Sequence, residues 1–333
     1  MLIQGYSMKS TLLITICFTL LSVVKTEAIE VKTSNYTSEN DLTVALQQKE
    51  WIHGSPDCTS NDDPAIEVFQ YDDSSYVLRQ NKCLSYEAPF IYVLVGSEKT
   101  LVLDTGATED PNEFPIYETV LSLHQKHNIS GDNRDRQILV IHSHSHSDHY
   151  GADSQFVGQP NVTVVSPNKA GIDSFFAFKK WPEEESQLEL GGRSVSIIPT
   201  PGHQEEAIAV YDTQTKWLLT GDTFYPGYIY VKEWQDYKNS IARLVSFTNN
   251  FPVSTILGSH IEMTDTPGKF YDVGTIFQPN EASLVLTHRD LVALNTKLQA
   301  TSKPQKILLD GVIVEPLSVL PKLLSNIARW FTQ

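Results

Sequence analysis

Apolar residues along this chain come in short runs separated by turn-forming residues, which is the pattern of strands more than of long helices. The runs Ala65–Tyr71, Tyr76–Arg79, Phe90–Val95 and Thr100–Leu103 follow one another closely and predict successive strands. A helical stretch, Glu113–His127, then leads to a buried strand at Ile138–Ile141. Beyond it, Val162–Ser166, Ser194–Ile198, Ala207–Asp212 and Lys216–Thr220 predict further strands, with helices over Asn168–Phe178 and Gln235–Asn249. Residues 29–60 are polar and poorly periodic, so an extended lead-in is expected there. Residues 274–333 carry two helical stretches around Lys306–Ile313 and read as a C-terminal extension packed on the main domain, residues 61–273. Strands, hairpins and helices in this alternation predict the α/β class, as a four-layered αβ/βα sandwich.

The chemistry gathers where strands end. Ile138–Ile141 empties into His142-Ser-His144-Ser-His146-Ser-Asp148-His149, so four potential metal ligands, His144, His146, Asp148 and His149, fall within six residues. On an extended backbone, side chains two apart point the same way, so His144 and His146 can grip one ion. Asp148 and His149 follow where the chain must bend and can face a second ion. His-rich tracts also occur as weak metal-binding stretches. Three later residues repeat the design of strand, small residue, ligand: His203 after Val195–Ile198, Asp222 after Trp217–Thr220, and His260 after Thr255–Leu257. Open β/α architectures gather their sites at the carboxyl ends of strands, which would place all seven on one rim.

Taken in order, Leu101-Val-Leu-Asp104-Thr-Gly106, His144-Ser-His-Ser-Asp-His149, His203, Asp222 and His260 resemble the five motifs of the metallo-β-lactamase-fold hydrolase superfamily, in its dinuclear branch. The resemblance spans roughly Tyr92 to His260. It implies one metal on His144, His146 and His203, a second on Asp148, His149 and His260, and Asp222 bridging the two. Asp104 would steady the ligand loops, or simply form an Asp-Thr-Gly corner. Nitrogen and carboxylate donors without thiolate suit two Zn ions, and Fe or Mn accept the same set. Two ions about 3.5–4 Å apart can hold a bridging hydroxide that attacks a carbonyl, with Asp148 placed to take or relay a proton.

For the substrate, the resemblance implies an ester-like bond in a small molecule: a lactone, ester or thioester. Several β-lactamase subgroups replace the bridging carboxylate with Cys or Ser, whereas this chain keeps Asp222. Tyr225, three residues later, is similar in placement to a lactonase phenol that donates a hydrogen bond to the reacting oxygen. It can equally pack in an aromatic loop with Phe224, Tyr228, Tyr230 and Trp234, a loop that would give an acyl chain an apolar wall. The alternatives are a β-lactamase and an iron-dependent, persulfide dioxygenase-like oxidoreductase on the same scaffold. His53, His124, His127 and His288 match no motif and are expected at the surface, and His142 is expected as a satisfied strand-end histidine.

Residues 1–28 read as a secretory signal peptide: Lys9, the apolar stretch Leu12–Val24, and a small-residue cleavage site at Thr26-Glu-Ala28. The expected location is therefore secreted or periplasmic, without membrane insertion after cleavage. Cys58 and Cys83 remain as an even pair, for which an oxidising compartment predicts a disulfide. A formal net charge of −15 repels nucleic acid and anionic lipid, which argues against nuclease activity. The sequons at Asn35, Asn128 and Asn161 would accept glycans only in a eukaryotic secretory path.

Overall fold

The computed structural model describes residues 39–127 and 136–318. The expected signal peptide, the sequons at Asn35 and Asn128, and the second C-terminal helical stretch lie outside the described residues. Helix α1 (Glu39–Gln47) forms within the segment read as an extended lead-in and buries Leu46 against the core.

Strands β1 (Ile66–Asp72), β2 (Ser75–Gln80), β3 (Phe90–Val95) and β4 (Lys99–Leu103) form an antiparallel meander. Helix α2 (Ile116–Lys126) then carries the chain to β5 (Gln137–Ile141), which pairs parallel with β4. One turn of helix, α3 (Ser147–Tyr150), leads on to β6 (Val162–Val164), parallel to β5, and closes a six-stranded sheet. After α4 (Lys169–Phe176) the plan repeats: β7 (Ser186–Glu189), β8 (Ser194–Pro199), β9 (Ile208–Asp212) and β10 (Trp217–Gly221) make a second antiparallel meander. The chain then passes through β11 (Tyr228–Val231) and α5 (Trp234–Asn250) to β12 (Thr255–Gly258), which pairs parallel with β10. Strand β13 (Val285–Leu286) completes the second sheet, and α6 (His288–Gln299) follows with a Thr287–Asp290 capping box. Finally β14 (Ile307–Leu308) and β15 (Ile313–Pro316) join β11 in a small third sheet of order β11-β15-β14.

Strand alternation dictates the layers. Leu101 and Leu103 of β4, Leu139 and Ile141 of β5, Val195 and Ile197 of β8, and Trp217 and Leu219 of β10 share one core between the two sheets. Their neighbours face outward: Val102, Ile138 and Val140 meet Val120 and Leu123 of α2, while Ile198 and Leu218 meet Ile241 and Leu244 of α5 and Leu291 and Leu294 of α6. The order helix, sheet, sheet, helix is the expected αβ/βα sandwich. Trp217 is fully buried at its centre, 4.6 Å from the ring of Tyr71, and truncation to Ala would cost about 3–5 kcal/mol.

A polar clasp fastens the sandwich at the end opposite the metal-ligand rim. Arg193, ahead of β8, forks onto both oxygens of Asp212 at 2.7 Å and donates across the sheets to the main-chain oxygen of Ser74 at 2.9 Å and the hydroxyl of Ser75 at 2.8 Å. Cys58 and Cys83 form the expected disulfide, their Cα atoms 5.3 Å apart. Among the described residues, no helix is long and apolar enough to cross a membrane.

His124 departs from its expected surface position. Helix α2 turns Ile116, Val120, Leu123 and His124 inward, and His124 Nδ1 lies 2.9 Å from the Thr100 hydroxyl of β4. Burial, with Arg136 and His127 nearby, lowers its pKa to about 4.

Candidate metal centre

All seven residues singled out at strand ends meet at one rim of the sandwich. His144, His146, His203 and Asp222 form one group, and Asp148, His149 and His260 a second; within each, one donor atom per residue lies within 4.8 Å of the others. From the first sheet come the four ligands after β5, with Asp148 and His149 on the single turn α3. From the second come His203 after β8, Asp222 after β10 and His260 after β12. Glycine is required beside two of them. Gly221 has φ +52° and a Cβ there would lie 2.5 Å from that of Ser143; Gly202 has φ +143° and its Cβ would lie 2.4 Å from the Cα of Tyr237.

Asp222 sits between the groups, one carboxylate oxygen toward each. Its Oδ2 is 3.6 Å from the Nε2 atoms of His144 and His203. Its Oδ1 is 3.6 Å from Nε2 of His149 and 3.4 Å from Nε2 of His260. His146 turns Nδ1 inward, 2.9 Å from His144 Nε2 and 3.0 Å from His203 Nε2, while its outer nitrogen meets the Gln204 amide. Asp148 Oδ2 lies 3.2 Å from His149 Nε2 and 3.3 Å from His260 Nε2.

Partners outside the cluster fix which nitrogen looks in. Nδ1 of His203 donates to the main-chain oxygen of Tyr230 at 2.8 Å, and Nδ1 of His260 to that of Glu87 at 2.9 Å. Nδ1 of His149 donates to Asp104 Oδ2 at 2.8 Å. Each therefore aims Nε2 at the interior, where a cation would take its lone pair, as in metal-ligating histidines. Asp104, fully buried at φ +71°, also accepts the Ser143 N–H at 2.7 Å and hydroxyl at 2.9 Å, and so ties the corner after β4 to the loop after β5. His142 does not join: its ring bonds Val165 O at 3.0 Å and Asp153 Oδ1 at 2.9 Å.

The electrostatics ask for positive charge. Burial, which alone would raise the pKa values of Asp148 and Asp222, is outweighed by the surrounding histidines, and both acids are held well below the usual carboxylate range. Burial, which alone would lower His260, is outweighed by Asp222 and Asp148, and its pKa stands at about 9. His149 is raised for the same reason, chiefly by Asp148 and Asp104. In contrast burial and neighbouring histidines depress His144 and bring His146 to about 3, so both keep free lone pairs. Asp222 Oδ1 is buried without a hydrogen-bond partner. A buried orphan oxygen facing converging nitrogen lone pairs, amid buried acids, fits divalent cations.

The resemblance offered the Tyr225 phenol to substrate, with packing in the aromatic loop as the alternative. Its ring lies 5.6 Å from that of His260, but its hydroxyl bonds Glu262 Oε2 at 3.0 Å and the main-chain oxygen of Tyr228 at 3.1 Å. One proton cannot serve these acceptors and a substrate oxygen together. Glu262 also takes the Tyr228 N–H at 2.7 Å, and burial raises its pKa to about 7. The sequence had not pointed to Glu262, nor to Glu206, a fully buried carboxylate that accepts the N–H of Ser145 at 3.1 Å and also its hydroxyl. Only the run Gln204-Glu-Glu206 beside His203 hinted at it.

Comparison with known proteins agrees with this geometry. The family model for the metallo-beta-lactamase superfamily matches residues 87–260, which include all seven ligand candidates. Acyl-coenzyme A thioesterase MBLAC2 of Homo sapiens is 24% identical over 204 residues, 51% of this chain and 72% of that protein. Hydroxyacylglutathione hydrolase of Legionella pneumophila is 32% identical over 92 residues, 27% of this chain and 34% of that protein. Among solved structures, a metallo-beta-lactamase from Pontibacter korlensis aligns with TM-score 0.44 and 18% identity, over 71% of this chain and all of that one.

Proposed function

Because the chain belongs to the metallo-beta-lactamase superfamily and is a metal-dependent hydrolase, we propose that it cleaves thioesters or related esters of small molecules with two divalent ions, zinc foremost. The observation that carries this reading is Asp222, with one oxygen toward each histidine group. His144, His146, His203 and Asp222 Oδ2 would hold one ion, and Asp148, His149, His260 and Asp222 Oδ1 the other. Ions so held supply a water nucleophile ionised near neutral pH and a Lewis acid for the carbonyl. Asp148, at the edge of the cluster and partly exposed, is placed to take the nucleophile's proton. Tyr225 serves as a positioning residue through Glu262 and the start of β11.

The bond class follows the two named relatives, a thioesterase and a hydroxyacylglutathione hydrolase. The lactone remains within the class, although the hydroxyl of Tyr225 is already engaged and lends it no support. The disulfide and the leader-like residues 1–28 support export, which Edman sequencing of protein recovered from the medium or periplasm would test through a start near residue 29.

Zinc-reconstituted protein should hydrolyse members of a thioester and ester panel and leave phosphodiesters and carbapenems nearly untouched. Asp222→Ala should remove most activity and bind no more than one ion per chain, with an unchanged circular dichroism spectrum. Carbapenem turnover without any thioester or ester turnover would refute the bond class. Full metal content in Asp222→Ala would refute the bridge.

A further inference from the structure

An aromatic face borders the metal-binding cluster. Ile229 and Val231 of β11 enter the core shared with α5 and α6, so Tyr228 and Tyr230 project to the opposite side. Their ring centroids are 5.0 Å apart, and Phe270 continues the row, 5.0 Å from Tyr228. Tyr230 and Phe270 each leave 40% of their surface to solvent. The fold does not need rings here: the third sheet already buries Ile229, Val231 and Val314 on its other side, and polar side chains would serve the outer one. Contiguous exposed aromatic surface of this kind marks a binding site.

The row's backbone begins beside His203. The main-chain oxygen of Tyr230 receives the His203 proton, and the N–H of Tyr228 is held by Glu262, two residues past His260. Phe270 lies on the loop after His260, where the Tyr271 N–H bonds Glu262 O at 2.8 Å. Charge complementarity narrows the occupant. Among the described residues, the ammonium over the row is that of Lys306, 4.5 Å from the Tyr228 ring and paired with Glu315 at 3.2 Å. The ring faces are thus apolar, while at the Tyr228 hydroxyl the Glu315 carboxylate and the Lys306 ammonium offset each other, which suits methylene groups on the rings and not a phosphate or carboxylate.

We infer that Tyr230, Tyr228 and Phe270 are the specificity-determining platform for an unbranched aliphatic acyl chain, laid outward from the carbonyl that reacts at the metal cluster. The inference rests on the hydrolase reading above and names the substrate side of that site. Phe224 and Trp234, aromatic neighbours in sequence, are not part of the platform: Phe224 is fully buried and Trp234 packs against the α5 core. One face of the chain is covered and the other stays wet, so each methylene should raise kcat/KM by about twofold, roughly half the effect of full burial.

The test uses the zinc-reconstituted full chain and a series of thioesters of one thiol, acetyl to dodecanoyl, with metal content measured in parallel. Going from acetyl to octanoyl should raise kcat/KM about fiftyfold, mostly through KM, with a plateau for longer chains. Tyr230→Ser and Phe270→Ser should each lower the octanoyl-to-acetyl ratio at least fivefold at unchanged metal content, and Tyr230→Phe should restore it. A flat wild-type series with efficient acetyl turnover would overturn the inference and leave the hydrolase reading standing. So would variants that lose rate equally at every chain length. Failure to hydrolyse any member would overturn the bond class, and this inference with it.

Discussion

Asp104→Asn isolates what the carboxylate behind His149 contributes. The side chain keeps its size and can still accept the Ser143 N–H at Oδ1. The other end becomes an NH2 group facing His149 Nδ1 across 2.8 Å. Two N–H groups cannot face each other there, so His149 must move its proton from Nδ1 to Nε2. Nε2 is the atom aimed at Asp148, Asp222 and His260, and a nitrogen carrying a proton there has no lone pair for a metal. The penalty is one charge-assisted hydrogen bond plus the unfavourable tautomer, about 1.5–3 kcal/mol. That corresponds to roughly 10- to 100-fold weaker binding. The loss should fall first on the Asp148–His149–His260 side, whose histidine bonds Asp104 directly, and less on His144, which meets Asp104 only through the Ser143 hydroxyl. Competition with a chromogenic chelator resolves two binding constants, and one should weaken by clearly more than the other. Equal weakening of both, or wild-type binding of both, would refute the tautomer argument. Thermal melting of metal-free protein serves as the control for general damage.

Arg193→Met leaves Asp212 buried with only the Thr215 backbone and hydroxyl as partners, and should lower urea-derived stability by about 3–5 kcal/mol while turnover per folded molecule is retained. Reducing Cys58–Cys83, or replacing both by Ser, should cost about 2–4 kcal/mol in the same assay, and titration of the unreduced, unfolded wild type should find no thiol from this pair. His124 binds its proton at about pH 4 when folded and near 6.5 when unfolded, so the unfolded chain holds more protons between these values. Stability should therefore fall as pH drops from about 6.5 toward about 4, and His124→Gln should flatten the upper part of that fall; identical slopes would remove His124 as the cause.

The meanders were largely legible because their strands are short apolar runs closed by turn residues; β7, with the mixed sequence Ser-Gln-Leu-Glu, was not. The metal cluster was legible for a related reason: a ligand set after each of several strand ends must converge if the strands share a sheet edge. Tyr225 was not. The partner that claims its hydroxyl, Glu262, is 37 residues away and is brought in by the loop after β12. His124 was read as exposed because a lone histidine in a polar helix gives no sign of its face. Only the register of α2 on β4 turns it toward Thr100. The third sheet left no pattern, since β11 and β15 are four residues each and pair across 85 positions. Among the described side chains of helix α1 only Leu46 is fully buried, with Leu42 partly so, too little for periodicity to register.

Neither half of the sandwich owns a complete set of donors. Each group combines residues after β5 with residues from the second sheet: His144 and His146 with His203, Asp148 and His149 with His260. A cation held by either group is therefore a rivet between halves, placed at the end of the molecule opposite the Arg193 clasp. Chelation would loosen that end, leaving it to the Arg79–Glu281 pair and the Tyr92 hydroxyl on Gly258, and leave the other fastened. Fragments divided in the exposed turn at Lys179–Lys180, before β7, should then reassemble far better with zinc than without it, which would make loading visible by size alone, with no substrate present.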